Sequence, residues 1–219
     1  MDNSSIPSHL KEELERLALL REEDIDTSDI PEVTDFSGFA RGALARDTIL
    51  ERNIDVRAIA NWFIKRFSQS KKSVTNLTLN KIVYLAVERA LVERGMLLSS
   101  AKIEAWNYGP VFREIYHDKK SEGADPIAET IRRFDLSSRS FIEAGFAFTT
   151  DDVEFLEGVF SDYGALRAGR LVDITHAKGS PWHFVWSNSR TVNFGMEISK
   201  EIILRRAPKQ RFGDERQTD

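Results

Sequence analysis

The sequence predicts a mainly α protein with a small β-sheet: a compact helical domain with a short two- or three-stranded sheet, preceded by an acidic N-terminal arm. Three observations lead there. Apolar residues recur at helical spacing over 55–69, 77–94 and 149–166. Two short aromatic stretches, 102–108 and 139–148, read as strands. Charge is segregated along the chain, with 14 Asp/Glu and 6 Lys/Arg in residues 1–55 against 21 and 25 in the remainder.

The arm comes first. Residues 8–23 read as a polar helix with Ser8 as N-cap and a narrow stripe of Leu10, Leu14 and Leu17, a pattern that needs a partner surface to be stable. Residues 22–35, EEDIDTSDIPEVTD, hold seven acids and no base. Together with the following residues to 53 they lose periodicity and offer Ile30, Phe36 and Phe39 as isolated apolar anchors, which reads as a segment extended when free.

The folded domain begins at Asp55, an N-cap for an amphipathic helix whose face is Val56, Ile59, Ala60, Phe63, Ile64 and Phe67. LTLNKIVYLAVERALVER (77–94) is apolar around much of its circumference and ends at Gly95, so it reads as the central buried helix. KIEAWNY (102–108) is a strand, and Gly109-Pro110 turns the chain into a helix over VFREIYHDKK. Asp125-Pro126 starts a short helix, IAETIRRF, and RSFIEAGFAF (139–148) is a strand able to pair with 102–108. Thr149 to Asp152 open a helix with Val153, Leu156, Phe160, Tyr163 and Leu166 on its buried face. A further helix runs through ALRAGRLVDITHAK to Gly179, and Ser199 caps a last one, KEIILRRA. The domain boundaries are therefore 1–54 for the arm, 55–206 for the domain and 207–219 for a polar tail.

Several function classes drop out. No run approaches the ~18–20 apolar residues of a membrane span. The N-terminus has no signal-peptide pattern, so a cytoplasmic protein is expected. Zero cysteines exclude disulfides, thiolate metal sites and a cysteine nucleophile. Phosphate-binding, dinucleotide, zincin and nucleophile-elbow motifs are missing. Asp173, His176 and His183 have a spacing that a metal could use, but no further ligand accompanies them, and no cofactor or metal is expected. The one enzymatic reading would gather His176, Asp173 and Glu104 in a pocket, although a strand carboxylate such as Glu104 ordinarily faces solvent. Basic residues are scattered, so nucleic-acid binding is not expected either. Composition and spacing stop at a mostly helical domain with an acidic arm.

The motifs go further. Residues 55 to about 186 resemble the Panacea domain, the SocA-like antitoxin domain of bacterial and phage toxin–antitoxin operons. DVRAIANWFI is similar to its opening helix. TNLTLNKIVYLAV resembles its second-helix signature, carried here by Thr75, Asn76, Lys81 and Tyr84. IEAWNYGPVFREIY is the most specific element, with Glu104, Trp106, Gly109, Pro110 and Tyr116 in the family's Glu-Ala-Trp-x-x-Gly-Pro-Val pattern. Tyr163-Gly164 matches a helix-ending pair, and Thr175-His176 followed by Ser180-Pro181-Trp182 matches the closing corner. The resemblance implies that this corner packs with the Trp-x-x-Gly-Pro turn, Trp182 filling the core and His176 hydrogen-bonding locally. The stretch 119–148 is longer than a minimal family domain, and Val87-Glu88 replaces a polar-small stretch.

The resemblance implies no enzyme but an antitoxin of a type II toxin–antitoxin system, which neutralises a cognate protein toxin encoded beside it by direct binding. The stretch EEDIDTSDIPEVTDFSGFARG is itself similar to the tail of small antitoxin-like proteins. On this reading the partner-binding residues are Ile30, Phe36, Phe39 and Arg41 in the arm and Trp106 and Tyr108 on the domain. An adaptor that delivers the toxin to a protease is the alternative the family implies, and a homodimer stays open.

Overall fold

The computed structural model describes residues 49–188 and 196–208, all within the unit from Leu44 to Asp219. The expected helix at 8–23 and the arm anchors Ile30, Phe36, Phe39 and Arg41 lie outside the described residues. The order is β1 (Leu50–Glu51), α1 (Val56–Gln69), α2 (Asn76–Arg94), β2 (Met96–Leu97), β3 (Ile103–Trp106), β4 (Gly109–Phe112) and α3 (Arg113–Lys119). Then follow β5 (Arg132–Asp135), β6 (Ser140–Glu143), α4 (Thr150–Tyr163), α5 (Ala168–His176), α6 (Pro181–Asn188) and α7 (Lys200–Arg206). The fold is mainly α with small sheets, as the periodicities require.

Local chemistry sets the helix ends. Asp55 Oδ1 accepts from the Arg57 N–H at 3.0 Å and starts α1. Thr75 caps α2, and Gly95, in the left-handed conformation at φ 61°, ends it. Thr149 and Asp152 form a reciprocal capping box at α4, and the buried Asp152 also receives Arg52 at 2.6 Å. Of the 19 residues of α2, 14 are buried. An apolar circumference is stable only with neighbours on all sides. The helix accordingly packs on α1, α3, α4, α5 and α7 and on β2 and β4. Fully buried side chains such as Ile59, Phe63 and Leu85 each contribute about 1.5–3 kcal/mol of transfer free energy.

The sheets differ from expectation. β3 does not pair with residues 139–148. It turns back on β4, Trp106 opposite Gly109, while β6 pairs with β5 and β1 with β2. A two-residue turn over Asn107 and Tyr108, closed by Gly109 at φ 100°, offers β3 a local partner. That pairing costs less loop-closure entropy than a distant one. The chain at 109–112 is thus a strand, and the helix expected from Val111 begins at Arg113. The outer edge of β3 takes a further segment, through Ala105 N–H to Met196 O (2.8 Å) and Ile198 N–H to Ile103 O (2.9 Å).

The helix expected over IAETIRRF does not form. The Ile127 N–H donates to Val74 O and the Ile131 N–H to Asn61 Oδ1, so the backbone donors a helix would use are committed elsewhere, and 132–135 becomes β5. In α4 the buried stripe is Asp152, Phe155, Leu156, Val159, Phe160 and Tyr163, and Val153 is exposed. The capping box and the Arg52 ion pair turn Asp152 inward and rotate the face.

Asn61 holds the base of the β5–β6 ribbon. Its Nδ2 donates to Ile131 O and Ala144 O, both at 2.8 Å, and its Oδ1 accepts from Ile131 N–H at 2.6 Å. Replacing it orphans two buried backbone groups, the Ile131 N–H and the Ala144 carbonyl, while the Ile131 carbonyl keeps the Ala144 N–H at 3.0 Å. Asn61→Ala is expected to destabilise the domain by about 2–4 kcal/mol. Urea unfolding would measure this, together with amide exchange at Ile131 and Ala144, which should lose protection before the rest of the domain. Unchanged stability would refute the clamp.

Candidate functional site

The site forms where α2 passes under the β3–β4 turn. Lys81 lies in the middle of the central helix and is 0% exposed. Its Nζ donates to the Pro110 carbonyl at 2.8 Å. Among the described residues no carboxylate pairs with it, and burial pushes its pKa down to about 7. Gly109 passes so close above that a Cβ there would stand 2.8 Å from Lys81 Cε and 3.1 Å from His176 Nε2. Only glycine meets both the positive φ and the lack of space.

The closing corner lies against the same turn. The His176 ring stacks on Trp182 at 3.6 Å with planes 2° apart, and Trp182 Nε1 donates to the Trp106 carbonyl at 2.8 Å. Burial, and then the nearby Lys81 charge, push the His176 pKa below its usual value, while the Asp173 charge and the Tyr108 backbone oppose the shift. His176 Nε2 is buried and makes no hydrogen bond within ordinary geometry. Ser180 fixes the bend: its Oγ donates to Thr175 O at 2.8 Å and accepts from the His183 N–H at 3.1 Å, capping α6 just before Pro181. This helix was not visible in the sequence, where THAKGSPWHFVW read only as a corner.

On the other side of the turn, Glu104 is 3% exposed, against the solvent-facing expectation. The reason is local: Trp106 Nε1 donates to its Oε2 at 2.9 Å, and Lys102 and Arg113 approach Oε1 at 3.4 and 3.9 Å. Trp106 meets Tyr116 edge-on at 4.7 Å. Between this pair, the turn and the first turns of α2 lies a cavity of about 480 Å³. Trp106, Tyr108 and Tyr116 wall it, Lys81 and Lys120 also line it, and no acid does. Beneath it Asn80 Oδ1 accepts from the Phe112 N–H, while Asn80 Nδ2 donates to Asn76 Oδ1 and Asn76 Nδ2 to Tyr116 O.

The structure therefore brings together Lys81, Trp106, Tyr108, Gly109, Pro110, Tyr116, His176 and Trp182. Tyr84 and Tyr163 sit apart in the core, Tyr84 donating to Glu88 at 2.5 Å. Tyr163 precedes Gly164, whose own Cβ would fall 2.6 Å from Phe160 O. Asp173 is exposed and reaches His176 only through its charge, and Glu104 is held by its own neighbours, so the His176, Asp173 and Glu104 set does not assemble. Among the described residues no three His, Asp or Glu side chains are placed to hold a metal, and no helix is long and apolar enough to cross a membrane. Sequence reasoning passed over Asn61 and Asn80, whose only signal was an amide on an otherwise apolar helix face.

A helical domain whose central helix buries a lysine under a Trp-x-x-Gly-Pro hairpin, closed by a stacked His–Trp corner, defines a structural class. The family described as "Antitoxin SocA-like, Panacea domain" matches residues 79–183, which contain that whole arrangement. The chain is 30% identical over 153 residues to "Antitoxin SocA" of Caulobacter vibrioides (strain NA1000 / CB15N), covering 69% of this chain and 81% of that protein. The chain belongs to the SocA-like Panacea family. No solved structure matches it.

Lys81 gives a pH signature. Free in the unfolded chain it titrates near 10.5, and in the fold near 7. Between those values the unfolded chain holds a proton that the folded chain lacks, so this group's penalty is full below pH 7 and disappears as pH rises toward 10.5. Relative to Lys81→Met, the natural protein is expected to gain up to about 1.4 kcal/mol per pH unit between pH 7.5 and 9.5 in urea unfolding. Parallel pH curves would sink the assignment of a neutral lysine.

Proposed function

We propose that the protein is the antitoxin of a type II toxin–antitoxin system and neutralises a cognate protein toxin by direct protein–protein binding, without catalysis, in the cytoplasm. The observation that carries the reading is the similarity to Antitoxin SocA, which extends over 81% of that relative. The corner geometry supports binding. Tyr108 is 67% exposed, on a turn held from behind by Lys81 and Trp182. An aromatic presented on a fixed backbone loses little entropy when a partner covers it.

On this reading residues 55–206 form the antitoxin domain, Trp106 and Tyr108 belong to its toxin-binding rim, and the arm of residues 1–54 contributes Ile30, Phe36, Phe39 and Arg41 by folding on contact. The acids of the arm add long-range attraction to a basic toxin surface.

The test is co-expression with the neighbouring gene in a bacterial host. The neighbour alone should arrest growth, and this chain should restore growth and co-purify with its product. Tyr108→Ala should weaken the complex by about tenfold or more at unchanged thermal stability. Deleting residues 1–48 should reduce rescue. A harmless neighbour, or one that does not bind, would overturn the antitoxin reading.

A further inference from the structure

The β5–β6 ribbon is built unlike the other hairpin. In β3–β4 every residue but Trp106 is buried, and the outer edge of β3 is covered by residues 196–198. In β5–β6 every residue is exposed except Asp135, which is half-buried. A two-stranded ribbon with no packed face is marginal in water. This one is anchored at its base by Asn61 and by Glu143, which takes Lys65 at 2.5 Å and the Thr130 hydroxyl at 2.9 Å.

The anchored ribbon carries apolar side chains into solvent. Of the ten large hydrophobic side chains exposed among the described residues, Phe134, Leu136, Phe141, Ile142 and Phe146 fall within 13 residues of chain. Phe134 and Phe141 pack edge-on across the strands at 5.4 Å and both line a groove of about 880 Å³. Clustered exposed aromatics with adjacent arginines have the composition of interface hot spots.

Charge decides what the groove fits. Arg113, Arg132 and Arg133 line it and are exposed, and Arg139 is exposed at the ribbon's end. On the ribbon Asp135 accepts from Ser137 and Ser138 and Glu143 pairs with Lys65. Of the acids lining the groove, Asp55 pairs with Arg57, Glu104 approaches Lys102 and Arg113, and Asp118 pairs with Lys119, while Glu114 Oε2 is buried without a hydrogen bond. A second copy would set arginines against arginines. A polyanion would run its charge past Glu114 and Asp118, which line the same groove, whereas acids confined to the border of an apolar patch can meet Arg133 and Arg139 alone. We propose that the exposed face of the β5–β6 ribbon is a further docking surface for the protein toxin, in addition to the Tyr108 rim, taking an apolar patch bordered by Asp or Glu side chains that is separate from the basic surface met by the arm. This deepens the antitoxin reading and rests on it.

The test measures binding of the full chain to the purified product of the neighbouring gene by calorimetry at two salt concentrations. Two double variants are compared with the natural protein: Phe134→Ser with Phe141→Ser, and Arg133→Glu with Arg139→Glu. Both should weaken binding at least tenfold with unchanged circular dichroism and melting, and the arginine variant should also flatten the salt dependence. Should the apolar variant fail to fold, the exposed arginine variant carries the measurement. If the natural protein binds and a folded variant set binds equally well, the ribbon proposal falls and the antitoxin reading stands. If the natural protein neither binds nor rescues growth, both fall. A natural dimer that the phenylalanine variant converts to monomer, with toxin affinity retained, makes the ribbon a self-association surface and overturns the proposal. So does tight binding of a labelled single-stranded oligonucleotide that the arginine variant abolishes while toxin affinity is retained.

Discussion

Everything around the Gly109-Pro110 turn depends on one buried amino group. Taking a charged ammonium out of water without a counterion costs several kcal/mol, so the group gives up its proton more readily and keeps what hydrogen bonds it can find. Lys81 finds the Pro110 carbonyl. That single bond fixes the height of the β3–β4 hairpin above α2, which in turn leaves no room for a Cβ at residue 109. It also brings the Trp106 carbonyl to where Trp182 Nε1 can reach it. The lysine, the glycine, the proline and the tryptophan pair are solutions to one spatial problem, and the match to the family spans all of them.

Buried amides and a carboxylate do comparable work elsewhere. Asn61 stands in for strand pairing at the base of the ribbon, Asn80 receives the Phe112 N–H where β4 ends, and Asp152 ties the start of α4 to Arg52. These contacts explain what could be read from the sequence and what could not. The helices α1, α2 and α4 were legible because apolar periodicity and caps are local, and their ends at Asp55, Gly95 and Thr149 follow from neighbouring residues. Strand pairing was not legible. It depends on Gly109 closing a turn under Lys81 and on an amide in α1 capturing Ile131, both set by residues distant in sequence. Lys81 by composition reads as one more solvated lysine, and Glu104 as an exposed strand carboxylate. Burial of either is a property of the neighbours; the motif resemblance singles out both, and the enzymatic reading also sets Glu104 in a pocket.

The domain offers two aromatic surfaces of different construction. At the turn, Tyr108 projects from a backbone whose other side is closed by Lys81, His176 and Trp182. On the ribbon, Phe134 and Phe141 project from strands held only at their base. The first lies in the Trp-x-x-Gly-Pro stretch on which the sequence resemblance rests most specifically, and the family match of residues 79–183 takes in both surfaces. The second lies within 119–148, the stretch that the sequence reading expects to exceed a minimal family domain. Such a division suits a binding protein, because a preformed core supplies stability while an outlying ribbon can change its side chains without disturbing packing.

The choice of lysine at the core position follows from the same physics. An apolar side chain of similar length would fill the space under the turn but leave the Pro110 carbonyl without a donor inside the protein, a loss of about 1–3 kcal/mol. Proline supplies no N–H at position 110, so its carbonyl is the only backbone group there that needs a partner. Arginine carries donors of the right kind but stays charged under all ordinary conditions, and its full charge would have to be held in the core. Lysine alone combines a long apolar stem, a terminal donor and the ability to become neutral, and its lowered pKa expresses that compromise. The neighbouring His176 is shifted in the same direction, away from its charged form, by burial first and then by the Lys81 charge.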